Sequence, residues 1–377
     1  MREIPFYVPH IDKSEESLVS EVLNLKGASK IEELEDLMCE FTGSEYAIST
    51  SSWSGAIHLS MFALGLKRGD KILCSVNSHP AIAEAVRHFD AEPIFVDIEP
   101  ETFNMSVDAL KKALVEHKHK KLKAVVVSHI GGVSAELDEI YKIAKENKIK
   151  VIEDASTSLG AKYKDKMLGN TGGDLTTFSF GSNLKNPIIN CGIITTNDKT
   201  LYEKAKLLRY HGIESKEWDL SGTLGYVYDI HEIGIKYDTS ELEAAYAIAK
   251  LQKVEELIKR RQEIAKIYQL ELKDTPHITL PKVTPNHTYG LYTIKVDKNR
   301  DDFARHLRDR GVYTGLYYVP LHLITYYKQK YSLKVNAFPV ALTTYQQILS
   351  IPCYAKMSDD DVKYVCKVIN EVANNRV

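Results

Sequence analysis

Over its first two-thirds the chain alternates short apolar runs with longer amphipathic stretches. "YAIST" (residues 46–50) reads as a strand, followed by an amphipathic helix over about 54–66. "KILCSV" (71–76) predicts the next strand, "AIAEAVRHF" (81–89) a helix, and "EPIFVDI" (92–98) a strand. "LKAVVVSH" (122–129) is a β-branched run suited to a strand buried on both faces. "ELDEIYKIAKENK" (136–148) predicts a helix, and "KVIEDAS" (150–156) begins as a strand. "TTFSFGSNLKNPIINCGIITTND" (176–198) is strand, polar loop, then strand. Strands alternating with helices predict an α/β fold with a mostly parallel central sheet flanked by helices.

After "KYDT" the pattern predicts one long helix. Ser240 with Glu243 has the spacing of a capping box, and Leu242, Ala245, Ile248, Leu251, Val254 and Ile258 keep helical spacing toward a core. "KRRQE" (259–263) reads as a solvated face of that helix. From about Pro276 the pattern changes. "LYTIKV" is a strand, "DDFARHLRDRG" a helix ending at glycine, "VYTGLYYV" a strand, and "SDDDVKYVCKVINEVANN" a capped terminal helix. This suggests a large α/β domain over 1–260 and a small C-terminal α/β domain over 261–377. A chain of 377 residues is long enough for two cores.

Bulk properties exclude several classes. The net charge of −2 offers no basic field for nucleic acid. No apolar run approaches a membrane span, and the first residues lack the apolar core of a signal peptide. The five cysteines are scattered without a CxxC pair, which argues against a metal site and suits free thiols in a reducing cytoplasm.

Ligands of a parallel α/β sheet bind beyond the carboxyl ends of its strands. Asp154 follows "KVIE" at such an end, and Ser51, Ser52 and Ser54 stand where a helix N-terminus could hold phosphate. His79 and His129 follow strands, and Ser179 lies on the strand before the polar loop. Each also has an ordinary structural reading: a cap, a turn former or a packed imidazole. Their order along the chain is the stronger signal. Phosphate-type serines come first, then a ring-bearing residue, a strand-end carboxylate, and serine with lysine after another strand. That order suits pyridoxal phosphate (PLP), whose phosphate, ring face, ring nitrogen and aldehyde want those four kinds of group.

At this point the sequence resembles the nucleotide-sugar aminotransferases of the DegT/StrS group. The matching stretches, in the family's order and spacing, include "AIHLSMFALGLKRGDKIL", "VIEDASTSLGAKYKDKMLGNTGGDLTTFSF", "IGIKYDTSELEAAYAIAKLQKVEELIKRRQEIA" and "GLYYVPLHL". The resemblance implies the PLP-dependent transferase fold type I and a homodimer with shared active sites. It also implies transfer of an amino group, typically from glutamate, to a nucleotide-linked keto-sugar, in polysaccharide or antibiotic-sugar synthesis. Carried over by position, Asp154 would partner the pyridine nitrogen and Ser179 the phosphate. His79 falls on the stacking position, Thr157 on a position usually held by Gln, and Ser54 keeps the phosphate-loop hydroxyl. Lys236 would reach the neighbouring subunit's phosphate, and His322 and Tyr318 belong to the segment near the sugar.

Besides Thr157 in place of Gln, and His79 where the family usually has Phe, Tyr or Trp, the chain departs from the family at two further places. Trp53 stands where the phosphate loop usually has glycine. An ungapped count from "FSF", and a second count back from "TND", both put Leu184 at the Schiff-base position. Lys185 takes that role if the loop is shifted by one residue. Three readings follow: a PLP-dependent aminotransferase using Lys185, a lysine-free sugar-modifying enzyme, or a non-catalytic paralogue that binds a sugar nucleotide.

Overall fold

In a computed structural model, residues 2–25, 27–118, 121–181, 187–213 and 229–375 are described. The main sheet uses β1 (Tyr46–Thr50), β2 (Lys71–Ser75), β3 (Glu92–Val96), β4 (Leu122–Ser128) and β5 (Lys150–Asp154). After a small hairpin, β6 (Lys162–Tyr163) and β7 (Lys166–Met167), it is completed by β8 (Leu175–Ser179) and β9 (Gly192–Thr196). The spatial order is β1-β9-β8-β5-β4-β2-β3. Only β9 runs against its neighbours, pairing antiparallel with both β1 and β8, whereas β8, β5, β4, β2 and β3 are parallel.

The helices of this part are α1 (Lys13–Leu23), α2 (Lys30–Thr42), α3 (Trp53–Ala63), α4 (Pro80–His88), α5 (Val107–Glu116), α6 (Leu137–Asn147), α7 (Lys199–Leu208), α8 (Glu241–Gln252) and α9 (Val254–Glu271). They cover both faces of the sheet. Along β4, Ala124 and Val126 enter the core that contains α3 and α4, while Val125 and Val127 enter the core that contains α2, α6 and α8. Burial on both sides explains why this strand reads as a continuous apolar run.

A third core lies on a three-stranded antiparallel sheet, in the order β10 (Ile278–Thr279), β11 (Tyr292–Val296), β12 (Ile348–Ile351). Helices α10 (Arg300–Arg308) and α13 (Asp359–Asn374) pack in it, whereas Tyr327 of α11 (Thr325–Lys330) and Ala341 of α12 (Pro339–Gln347) reach back into the first core. Helix α9 joins the two parts: Val254 and Ile258 pack in the second core, and Ile264, Ala265 and Tyr268 in the third.

Several local expectations are corrected. The single long helix breaks at Lys253 into α8 and α9, and the Lys253 ammonium is drawn to Asp12 and Glu15 at the start of α1. Leu242 is 41% exposed rather than core-facing, because it lies on the first turn of α8, outside the packed stripe Ala244, Ala247, Ile248 and Leu251. Only half of the capping box forms. Ser240 accepts from Glu243 N, but the Glu243 carboxylate is taken by Thr239 Oγ1 and Asn190 N. "VYTGLYYV" makes only isolated bridges at Val312 and Gly315, and the unexpected β12 takes the place beside β11. The Phe6 ring would lie 2.7 Å from a Cβ on Gly315, so the N-terminal segment packs where a regular strand would continue.

Candidate active site

Several of the singled-out residues gather at the carboxyl end of the main sheet. Asp154 closes β5 and is paired in register with Thr177 of β8 and Ser128 of β4. It is 5% exposed, and its Oδ1 accepts from Ser156 N at 3.0 Å. Among the described residues no cation pairs with it. A buried carboxylate without a cation is costly unless something else supplies the charge.

Over this strand end stands Trp53, the first residue of α3. Ser52 caps that helix, accepting from Gly55 N at 3.0 Å. The Trp53 indole is buried and donates to Thr177 Oγ1 at 3.2 Å; Thr177 in turn donates to Glu153 O at 3.2 Å. The His79 ring lies edge-on to the indole at 5.4 Å and to Tyr318 at 5.9 Å. His79 is the N-cap of α4, its Nδ1 accepting from Ala81 N at 3.2 Å, so a neutral ring carries its proton on Nε2. Burial lowers the His79 pKa against the opposing pull of Asp154. Burial, with the Asp154 charge second, raises the Tyr318 phenol. Trp53, His79, Asp154 and Tyr318 therefore form one group.

Ser179 ends β8, half-buried, with no hydrogen bond to its hydroxyl among the described residues. Ser54 is exposed on the first turn of α3, equally without one. Thr157 is engaged by the backbone, donating to His129 O and accepting from Gly131 N, each at 3.0 Å. Ser179 and Thr157 line one cavity of about 130 Å³.

Two expected residues sit apart from this group. Lys236 is exposed, pairs with Asp238 at 2.7 Å and lies over the Tyr210 ring. The neighbouring Tyr237 carbonyl accepts from Ser51 N at 2.7 Å, which holds this segment against the start of α3 in the same chain. His322 is fully buried in a short 3-10 turn, with Nε2 donating to Val335 O at 3.0 Å and Nδ1 lacking a partner. Burial lowers its pKa. His129 takes its ordinary structural reading. Its Nδ1 accepts from Ala135 N at 3.0 Å, which leaves Nε2–H to donate to buried Glu153 at 2.9 Å. Leu184 and Lys185 lie outside the described residues.

The sequence reading missed Lys250 and Arg261, which line the same cavity as Ser179. Arg261 belongs to "KRRQE", expected to be solvated; only Lys259 and Glu263 of that cluster are exposed. Arg260 reaches the Met357 carbonyl, and Arg261 the Thr288 carbonyl. The available signal was a lone lysine within the apolar run "AAYAIAKL".

A seven-stranded sheet with one reversed strand, a buried strand-end carboxylate and a smaller C-terminal sheet define the class of PLP-type aminotransferase folds. Residues 9–370 match the model of the DegT/DnrJ/EryC1/StrS aminotransferase family, and the chain belongs to that family. It is 34% identical to protein MJ1066 of Methanocaldococcus jannaschii, over 98% of each chain. It is 29% identical to GDP-perosamine synthase of Escherichia coli O157:H7, over 100% of each. The structure of Helicobacter pylori PseC, an aminotransferase of pseudoaminic acid biosynthesis, superposes with TM-score 0.87 at 24% identity, covering 100% of both chains. Pyridoxal phosphate is the cofactor that goes with this family, and solved neighbours of the same fold are known in PLP and PMP forms. The residues present fit that group: among the described residues the buried Asp154 carboxylate has no cation beside it, and the Ser54 and Ser179 hydroxyls have no hydrogen-bond partner. No helix among the described residues is long and apolar enough to cross a membrane.

Proposed function

We propose that the chain is a PLP-dependent aminotransferase that passes an amino group from an amino acid such as glutamate to a keto-sugar carried on a nucleotide. The observation that carries this reading is Asp154, a buried carboxylate at the carboxyl end of β5 without a cationic partner among the described residues. When bound, the cofactor supplies an electron sink for the carbon that loses its proton. Asp154 keeps the ring nitrogen protonated. Ser54 and Ser179 hold the phosphate, the His79 imidazole and Thr157 border the ring, and Lys236 serves the phosphate of a neighbouring subunit in a homodimer. Lys185 supplies the amine that carries the proton, and Tyr318 and His322 shape the sugar side. Nucleotide-linked substrates agree with the name of the GDP-perosamine relative. Polysaccharide synthesis in the cytoplasm is the setting this implies. Division near residue 260 into a cofactor-type unit and a smaller unit is supported by the separate third core.

One observation favours a second reading, a lysine-free enzyme or a sugar-nucleotide-binding paralogue. The Trp53 indole lies between Thr177 and His79, beside the carboxylate a cofactor ring would use. Reconstitution with PLP separates the readings. Borohydride should fix pyridoxyl on Lys185, and glutamate plus keto-sugar should give an aminated product. A product that lost water without gaining nitrogen selects the lysine-free enzyme. A folded chain that binds no PLP selects the paralogue.

A further inference from the structure

The junction of α8 and α9 holds two half-buried cations with no carboxylate between them among the described residues. Lys250 donates Nζ to Phe180 O at 3.1 Å, its only hydrogen bond among the described residues. Arg261 donates Nε to Thr288 O at 2.8 Å, and its terminal amino groups have no partner there. Glu15 is the carboxylate that acts on Lys250, but it is held by Lys253 at 2.6 Å and by Asp12 N at 3.0 Å. Burial first, then the Arg261 charge, lowers the Lys250 pKa to about 8. Burial lowers Arg261 as well. Even partial desolvation of a cation is unfavourable unless a counter-charge or hydrogen bonds offset it.

Both side chains line the cavity of about 130 Å³ beside Ser179. Thr288 Oγ1 and His10 Nδ1, on residues of the same wall, are buried without partners among the described residues. The volume is close to that of a cavity that takes a benzene-sized guest, about six heavy atoms. A guanidinium fork matches a carboxylate in two parallel hydrogen bonds, and an ammonium adds a point charge.

We propose that this cavity binds a small organic carboxylate, of about the size of a three-carbon keto acid, between Arg261 and Lys250. The carboxylate would offset one of the two positive charges while lying against both, and would give the free Arg261 donors acceptors. Ser179 and Thr157 line this cavity too, so a bound cofactor would border it; titrating the chain without PLP tests the carboxylate apart from the transfer reading.

The test uses the full chain without PLP. Pyruvate, glutamate, 2-oxoglutarate and inorganic phosphate are titrated at constant ionic strength and followed by calorimetry. Pyruvate is expected to bind saturably, and Arg261→Gln and Lys250→Met each to weaken it at least tenfold. Affinity should fall as pH rises through about 8, the Lys250 value, and Lys250→Met should abolish that fall. Facing Lys250 are Arg261 from α9, Glu15 from α1 and Cys191 beside β9, whose thiol burial pushes up to about 12. His10 and Tyr7 of the N-terminal segment face the same cavity, and His10→Gln should leave the pH profile through 8 unchanged. Absence of saturable pyruvate binding overturns the proposal, as does binding that survives both substitutions. Binding of phosphate alone overturns the carboxylate assignment. If Arg261→Gln does not fold, Lys250→Met decides by itself.

Discussion

The Trp53 indole N–H donates to Thr177 Oγ1 at 3.2 Å, tying the first residue of α3 to the strand beside Asp154. Thr177 passes the bond on to the Glu153 carbonyl. Helix start and sheet end are therefore coupled through one hydroxyl. A double-mutant cycle with Trp53→Phe and Thr177→Val should give a coupling energy of about 0.5–1.5 kcal/mol in urea denaturation. Strictly additive losses would show that the bond contributes nothing.

Asp154→Asn keeps an oxygen for Ser156 N and removes the charge. The fold should be retained. A charge-assisted hydrogen bond to a cationic ring nitrogen is worth about 1.5–3 kcal/mol, so PLP affinity should fall at least about tenfold. Spectroscopic titration of both proteins measures this, and equal affinities would remove Asp154 from its assigned role.

Lys250 lets the pH dependence of stability be worked out. Its folded pKa of about 8 lies below the ordinary 10.5, so the unfolded chain binds the extra proton between these values. Stability should therefore rise with pH across that window, and the cost of the buried charge is fully present below about 8. Lys250→Met removes the charge at similar length. At pH 7 without ligand it should stabilise the chain by about 1–3 kcal/mol, partial exposure to the cavity reducing the full value. Chemical denaturation at pH 7 and pH 10.5 checks this; a variant less stable at both would contradict the assignment.

At the start of β9, Gly192 lets the strand pass against the beginning of α3. A Cβ there would meet the Ser52 carbonyl and Trp53 N at 2.6 Å. Both contacts are backbone and cannot swing aside, so Gly192→Ala should cost about 2 kcal/mol or more and loosen the Trp53 end of α3. Denaturation midpoints and indole fluorescence report the two effects. An unchanged midpoint would mean that α3 can shift freely.

Much of the site was legible in one dimension because its residues sit at strand ends and helix starts. Asp154 was placed by "KVIED", Ser54 and His79 by the helices they open, and Ser179 by the strand before the loop. Lys236 and His322 were legible only through the family pattern, and the fold puts one on the surface and the other in a core. Arg261 was misread because a basic cluster at helical spacing usually faces water; packing of the N-terminal segment and of residues 353–355 over α9 turned one member inward.

The sequence alone determined the alternation of strands and helices, the parallel sheet and the family, since these follow from local periodicity and from motif order. Tertiary structure alone decided that Trp53 bonds Thr177, that the long helix turns at Lys253, and that Lys250 and Arg261 share a cavity. Those are contacts between segments far apart in the chain. They depend on which side chains fill a common volume, and no local pattern encodes that.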